Sequence, residues 1–298
     1  MHAASYRAWG LAFAVTGVIA FSFRPIWIKL AYAAHPVSPV TLLFLRMAIA
    51  LPFFVAIAWW LGGAARLTGR DWAGITGLGL VGYYLASFLD FIGLQYVGAG
   101  LGRLILFLYP TLVLLLSFLF LGKRPGVREL AALAITYAGI AMVVSNQFGA
   151  AAEGGLFLLG VALVFGSALY YAVYLVAGSQ LVHRVGSMRF TAYTMIVSTL
   201  PAVLQFFLLE PVAALQLPPG VWWYAGLMAT LSTVLPVFLQ AEALKRIGAN
   251  QFALVGAVGP VSVAIVSALG LGESFTGIQA AGGLLAICGV LLVSLKRN

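Results

Sequence analysis

The sequence predicts an all-α membrane protein of ten transmembrane helices, built as two inverted five-helix repeats with both termini in the cytoplasm. Three observations carry this. Of 298 residues, 63% are hydrophobic and only 8% charged, with a mean hydropathy of +1.08. Soluble proteins carry about 25% charged residues. Lysine and arginine outside the apolar segments fall on alternate loops only, and the two halves match at a constant offset. With so little charge to cover a soluble surface, a soluble enzyme and a nucleic-acid-binding protein are excluded.

A spanning helix needs about 20 mostly apolar residues. Ten segments qualify: 8–32, 38–62, 72–95, 99–121, 128–146, 154–181, 189–209, 221–241, 248–271 and 276–295. Continuous runs such as Leu104 to Leu121 lack the period-2 alternation of a membrane β-barrel, so helices are predicted. The first segment is too long for the apolar core of a signal peptide and reads as a permanent span. Cys288 is the only cysteine, which excludes an intrachain disulfide and a cysteine-cluster metal site. No metal and no cofactor are expected.

Orientation follows from charge. Arg7, Arg66, Arg70, Lys123, Arg124, Arg128, Arg184, Arg189, Lys245, Arg246, Lys296 and Arg297 lie in the tails and alternate loops. The other loops, near 33–38, 96–98, 147–153, 210–220 and 272–275, hold no lysine or arginine. Cytoplasmic loops are the ones enriched in these residues, so both termini are placed in the cytoplasm of a cell (inner or plasma) membrane protein.

The halves, 1–146 and 147–298, align without a gap at an offset of 150. Gly98-Ala99 meets Gly248-Ala249, Leu104 meets Leu254, Pro110 meets Pro260, Ser117 meets Ser267 and Gly139 meets Gly289. An offset of 149 aligns Ser38 with Ser187 and Leu51-Pro52 with Leu200-Pro201. Five spans per half is an odd number, so the second half enters the membrane upside down. Inverted repeats of this kind place a substrate site near the midplane and give two related states, open to either side.

These features resemble the drug/metabolite transporter superfamily, and within it the EamA family. The carrying residues are Gly93-Leu94-Gln95-Tyr96-Val97-Gly98-Ala99-Gly100, Tyr109-Pro110-Thr111 and Leu121-Gly122-Lys123, then Ala243-Leu244-Lys245-Arg246-Ile247-Gly248-Ala249, Gly259-Pro260 and Leu271-Gly272-Glu273. Arg46 in the second span also fits. The family usually shows an acid after Leu-Gly in both halves; here the first copy has Lys123. The resemblance implies peripheral fifth and tenth spans, with the other eight surrounding a cavity. It also implies export of small metabolites, because the family includes amino-acid exporters, some of them aromatic amino-acid exporters of the YddG type.

Proline inside a helix removes a hydrogen bond and clashes with the carbonyl four residues back. Pro110 and Pro260, paired by the repeat, are expected to be hinges of the fourth and ninth spans, freeing the carbonyls of Leu106 and Gly256. Pro25, Pro52, Pro201 and Pro236 add further breaks.

Four cations remain inside spans: Arg24, Lys29, Arg46 and Arg103. Asp90 is the acid well inside one. At 1.5 Å per residue, Arg46 lies about 10 Å, Asp90 about 9 Å and Arg103 about 6 Å from the outer helix ends. Charges in lipid are costly and normally face a cavity or a partner. Lys29 lies near enough to the surface to snorkel. The second half has Gln240, Ala253 and Met195 where the first has Asp90, Arg103 and Arg46, so the repeat's packing does not impose these charges. Asp90 is expected to pair with Arg46 or Arg103 as an outer gate or a structural bridge. Alternatively, the arginines attract a carboxylate or phosphate. Asp90 is also the best intramembrane proton site.

Tyr83, Ser87 and Asp90 share one face of the third span. Tyr170 and Tyr174 share a face of the sixth with Tyr171 beside it, and Tyr109 precedes the hinge proline. Gln240, Asn250 and Gln251 are expected near the outer part of the second half. Such a mixed cavity suits a small zwitterion with an apolar side chain, whereas Trp59, Trp60, Trp222 and Trp223 read as an interfacial belt. A membrane enzyme would need a clustered nucleophile, base or metal site; His2, His35 and His183 sit in tails and loops, and no P-loop is present. Export of amino acids or related metabolites is the expected function, with a drug or nucleotide-sugar carrier as the alternative. The expected partners are the substrate and the bilayer; proton coupling and a homodimer are left open.

Overall fold

A computed structural model describes residues 2–61, 67–97, 102, 105–144, 156–256, 258–259, 261–262 and 277–294. Arg103 and Pro260 lie outside the described residues. Helix dominates, and no strand occurs among the described residues. Among the described residues, six helices are long and apolar enough to cross a membrane: Ser5–Ala34, Pro39–Trp60, Gly69–Tyr96, Phe157–Val185, Ser187–Leu209 and Pro219–Val255.

The first crossing consists of α1 (His2–Ser22) and α2 (Arg24–Ala34), separated by a turn at Phe23. Pro25 sits in the first turn of α2, where its missing N–H has no partner to lose. α3 (Pro39–Trp60) starts at Ser38, whose hydroxyl accepts from the Thr41 amide at 3.1 Å. The third crossing runs α4 (Gly69–Leu78), a π-helical stretch Gly79–Leu85, and α5 (Ala86–Tyr96). A capping box between Thr68 and Asp71 opens it. α6 (Tyr109–Leu121) ends at Gly122, whose φ of 62° closes a left-handed cap. α7 (Val127–Val144), α8 (Phe157–Val185) and α9 (Ser187–Leu209) follow. Only Gly186, at φ 88°, separates the last two. α10 (Pro219–Ala229), a π-helical stretch Thr230–Val234, and α11 (Leu235–Val255) form the longest helical run; α12 (Gly277–Ser294) completes the described chain. α11 carries a break at Gly248, whose φ of 74° separates what the sequence reads as the eighth and ninth spans.

The repeat expected from the sequence is visible in the backbone. The π-helical stretches 79–85 and 230–234 occupy matching places in the two halves, and each widens its helix by an extra residue in the turn. Contacts obey the same relation. α7 packs on α12, α3 on α9, α1 on α11, and α5 on α8. Exchanging the halves turns the last two pairs into each other and leaves the first two unchanged, as a two-fold axis requires. Gly139 and Gly289, aligned in the sequence, both sit in the α7–α12 contact. A Cβ on Gly139 would meet the Gly282 carbonyl and Ala286 backbone, and one on Gly289 the Ala132 carbonyl at 2.8 Å. The buried apolar residues form one large cluster drawn from both halves.

The expected proline breaks take three forms. The residues before Pro110 form a turn at 107–108, and the helix begins afresh at Tyr109 with Pro110 in its first turn. The break expected in the fourth span thus falls at 107–108, just before Pro110. Pro236 likewise sits in the first turn of α11, whereas Pro52 and Pro201 stay inside continuous helices. Trp59, Trp60 and Trp223 stand on the exterior with Leu200, Leu204 and Phe207, an apolar surface suited to lipid.

Candidate substrate chamber and its charged wall

Phe23 keeps helical dihedrals (φ −73°, ψ −18°), so Arg24, the first residue of α2, stays on the course of the first crossing and meets α5. Its Nη2 donates to Asp90 Oδ2 at 2.6 Å, with both side chains about 5% exposed. This corrects the expected pairing of Asp90 with Arg46 or Arg103: among the described residues its ion-pair partner is Arg24. The Arg24 guanidinium also lies over the Phe21 ring, 4.2 Å from its centroid. Lys29, one turn beyond, is half-buried.

Arg46 enters the same region from α3. It is 1% exposed, its guanidinium lies 5.4 Å from the centroid of Phe91, and its Nη2 contacts Met47 Sδ at 3.5 Å. Its Nε has no hydrogen-bond partner. Phe91 is held beside this wall, and its carbonyl accepts from the Tyr32 hydroxyl at 3.2 Å.

Tyr83, Ser87 and Asp90 are all buried on one face of the third crossing, as predicted. Tyr83 lies within the π-helical stretch and meets Tyr174 edge to face at 4.7 Å. Gly82 is what allows this, because a Cβ there would collide with the Tyr174 ring. Tyr174 also stacks on Phe190 at 5.8 Å and Tyr171 at 6.4 Å. Tyr171 meets Tyr109 edge to face at 5.1 Å and Phe21 in a stack at 6.2 Å. Its hydroxyl donates to Gln240 Oε1 at 2.9 Å. A continuous line therefore runs from Asp90 through Arg24, Phe21 and Tyr171 to Tyr174 and Tyr83. Gln240 is 5% exposed, and its Nε2 has no partner.

Between these residues is a pocket lined by Gly17, Val18, Phe21, Leu106, Tyr109, Tyr171, Gln240 and Phe252. Its volume of about 20 Å³ holds roughly one water. Ligand pockets occupy roughly 300–1,000 Å³, so this pocket as it stands is too small for one. A larger apolar cleft of about 530 Å³ lies between α1, α3, α9 and the 230–246 segment, lined by residues including Phe13, Phe53, Ile57 and Phe238. Glu242 and Arg246 mark its polar end, where Glu242 accepts from Ser187 and pairs with Arg246.

Two predicted site residues stand apart. Tyr170 is half-buried and outside the ring cluster. Gln251 lies next to Lys123, Arg124 and Arg128, and Asn250 accepts from Ser117 at 2.8 Å. Both amides sit three residues or fewer beyond the Gly248 break, at the end of the molecule where Lys123, Arg124 and Arg128 gather. Sequence reasoning missed Phe21, Phe91 and Phe190. Phe21 precedes Arg24 by three residues, a spacing that places two side chains together even across a turn.

The EamA-like transporter family matches residues 8–145 and again residues 158–295. The chain is 28% identical over 286 residues to YcbK, an uncharacterized transporter of Bacillus subtilis (strain 168), covering 92% of this chain and 88% of that one. It is 32% identical over 143 residues to the threonine/homoserine exporter RhtA of Salmonella typhimurium (strain LT2), covering 46% of this chain and 44% of the exporter. A solved crystal structure matches with a TM-score of 0.77 at 18% identity over 96% of each chain, which establishes the fold alone. With a contact pattern repeated between its halves and a family match to each half, this multi-pass membrane protein belongs to the EamA-like transporter family.

Proposed function

We propose that the protein exports small metabolites, chiefly amino acids, by alternating access. Ten spans cross the cell membrane, with both termini in the cytoplasm. The carrying observation is a buried Arg24–Asp90 pair and a buried cation, Arg46, joined through Phe21 and a chain of tyrosine rings to a small pocket whose lining includes Tyr109, Tyr171 and Gln240. Charges are costly in a membrane core and mark pathways by default. The tyrosines offer rings and hydroxyls to an apolar or hydroxylated side chain, and the relative named as a threonine/homoserine exporter supports this cargo class. Because about 20 Å³ cannot hold an amino acid, cargo enters only when the halves move, with Pro110 and Pro260 at the joints.

Purified protein in liposomes tests this. Labelled threonine, leucine and phenylalanine should exchange across the bilayer, with and without a pH gradient. Exchange that accelerates with the gradient assigns proton coupling. No exchange of any amino acid overturns the reading. For orientation, single cysteines at 35 and 125 should react with an impermeant maleimide from outside at 35 only.

A further inference from the structure

We propose that Arg46 is a carboxylate-binding subsite, so that cargo is selected first by a carboxylate and only second by an ammonium group. This rests on the transport reading above and deepens it. The chain has seven acids. Five lie among the described residues, and each is engaged elsewhere. Asp90 holds Arg24, and Asp71 accepts from Thr68 and pairs with Arg184. Glu129 accepts from the Gly126 amide, Glu210 from Ser38, and Glu242 from Ser187 and Arg246. Glu153 and Glu273, outside the described residues, fall in loops by sequence. Among the described residues, Arg46 is thus a fully buried guanidinium that lies beside the Phe91 ring, whose Nη2 meets a thioether and whose Nε has no partner.

Guanidinium presents five donors in a planar fork, and the groups that match it two at a time are oxyanions. The charge count selects among them. Arg24, Asp90 and Arg46 together carry +1. A monoanionic carboxylate brings the buried cluster to zero, whereas a phosphate dianion overshoots and an amine raises it to +2. An amino-acid zwitterion keeps the cluster at +1 but still supplies the fork with its carboxylate. The fold does not demand this arginine. The repeat-related position in α9 is Met195, which is equally buried, so a neutral side chain packs there. The order of preference is therefore carboxylate anion and zwitterion, then amide, then amine.

Thermal stabilisation of the detergent-purified protein by threonine, phenylalanine, phenyllactate, threoninamide and phenethylamine reads this directly. The carboxylates of at least one series should raise the melting temperature, and the amide and amine should not. Arg46→Gln should lose the response and Arg46→Lys should keep it with roughly tenfold weaker binding. Arg46→Met, copying residue 195, serves if the glutamine variant does not fold. Equal stabilisation by amides, no response to any carboxylate, or an undiminished response of the neutral variants overturns the assignment. Stabilisation by phenyllactate that depends on Arg46, with no amino-acid exchange in liposomes, keeps the assignment and overturns amino-acid export. Exchange indifferent to Arg46→Gln does the reverse.

Discussion

At the scale of single residues, the Arg24–Asp90 pair dominates. Removing one partner of a buried pair strands the other and costs roughly 3–5 kcal/mol, whereas replacing both with apolar side chains of similar size is often neutral. Asp90→Asn should therefore lower the melting temperature markedly. The double variant Arg24→Met/Asp90→Leu should recover most of that stability and still fail to transport. A wild-type melting curve for Asp90→Asn would show that the 2.6 Å contact carries no net stability. Transport by the double variant would remove the pair from the mechanism. Asp90 was legible in the sequence as a lone intramembrane acid. Its partner was not, because Arg24 is 66 residues away on another helix and only the packing of α2 against α5 brings the two together.

Among the elements, breaks matter more than helices. Pro110 ends no helix; it begins one, after a turn at 107–108. In that position proline restricts the chain without losing a hydrogen bond, and alanine would let α6 extend backwards through the turn. Pro110→Ala should leave the melting temperature unchanged or higher and slow exchange in liposomes. Wild-type exchange would remove Pro110 as a joint. The paired π-helical stretches make the same point about registers. Tyr83 reaches Tyr174 because the 79–85 stretch turns it and Gly82 opens the space. Helical spacing predicted the shared face of Tyr83, Ser87 and Asp90 but not the π turn, against which α8 and α9 both pack.

On the scale of the whole molecule, the contact pattern sets one helix pair apart. Among the described residues the α7–α12 pair meets the rest chiefly through α11, and the pocket draws on neither helix. Gly139→Leu and Gly289→Leu should each force these helices apart, overpacking that costs about 1–3 kcal/mol. Both should lower thermal stability while leaving the apparent affinity for cargo unchanged. A shifted affinity at unchanged stability would instead tie the pair to the chamber.

Composition, loop charge and the 150-residue offset determined the membrane class, the helical content and the two-repeat plan, because each reflects a cost the bilayer imposes on every residue alike. The identity of the charged residues was determined there too: Arg24, Arg46 and Asp90 stand out simply because so few charges occur in spans. Which of them touch was decided only by the tertiary structure. Periodicity within one helix does not say which helices meet. The packing of α2 against α5 joined Arg24 to Asp90, α3 set Arg46 beside Phe91, and the break at Gly248 put Gln251 beside Lys123 and Arg124. Helix periodicity carries along an unbroken helix and stops where the backbone bends, so the chamber had to be read from the fold.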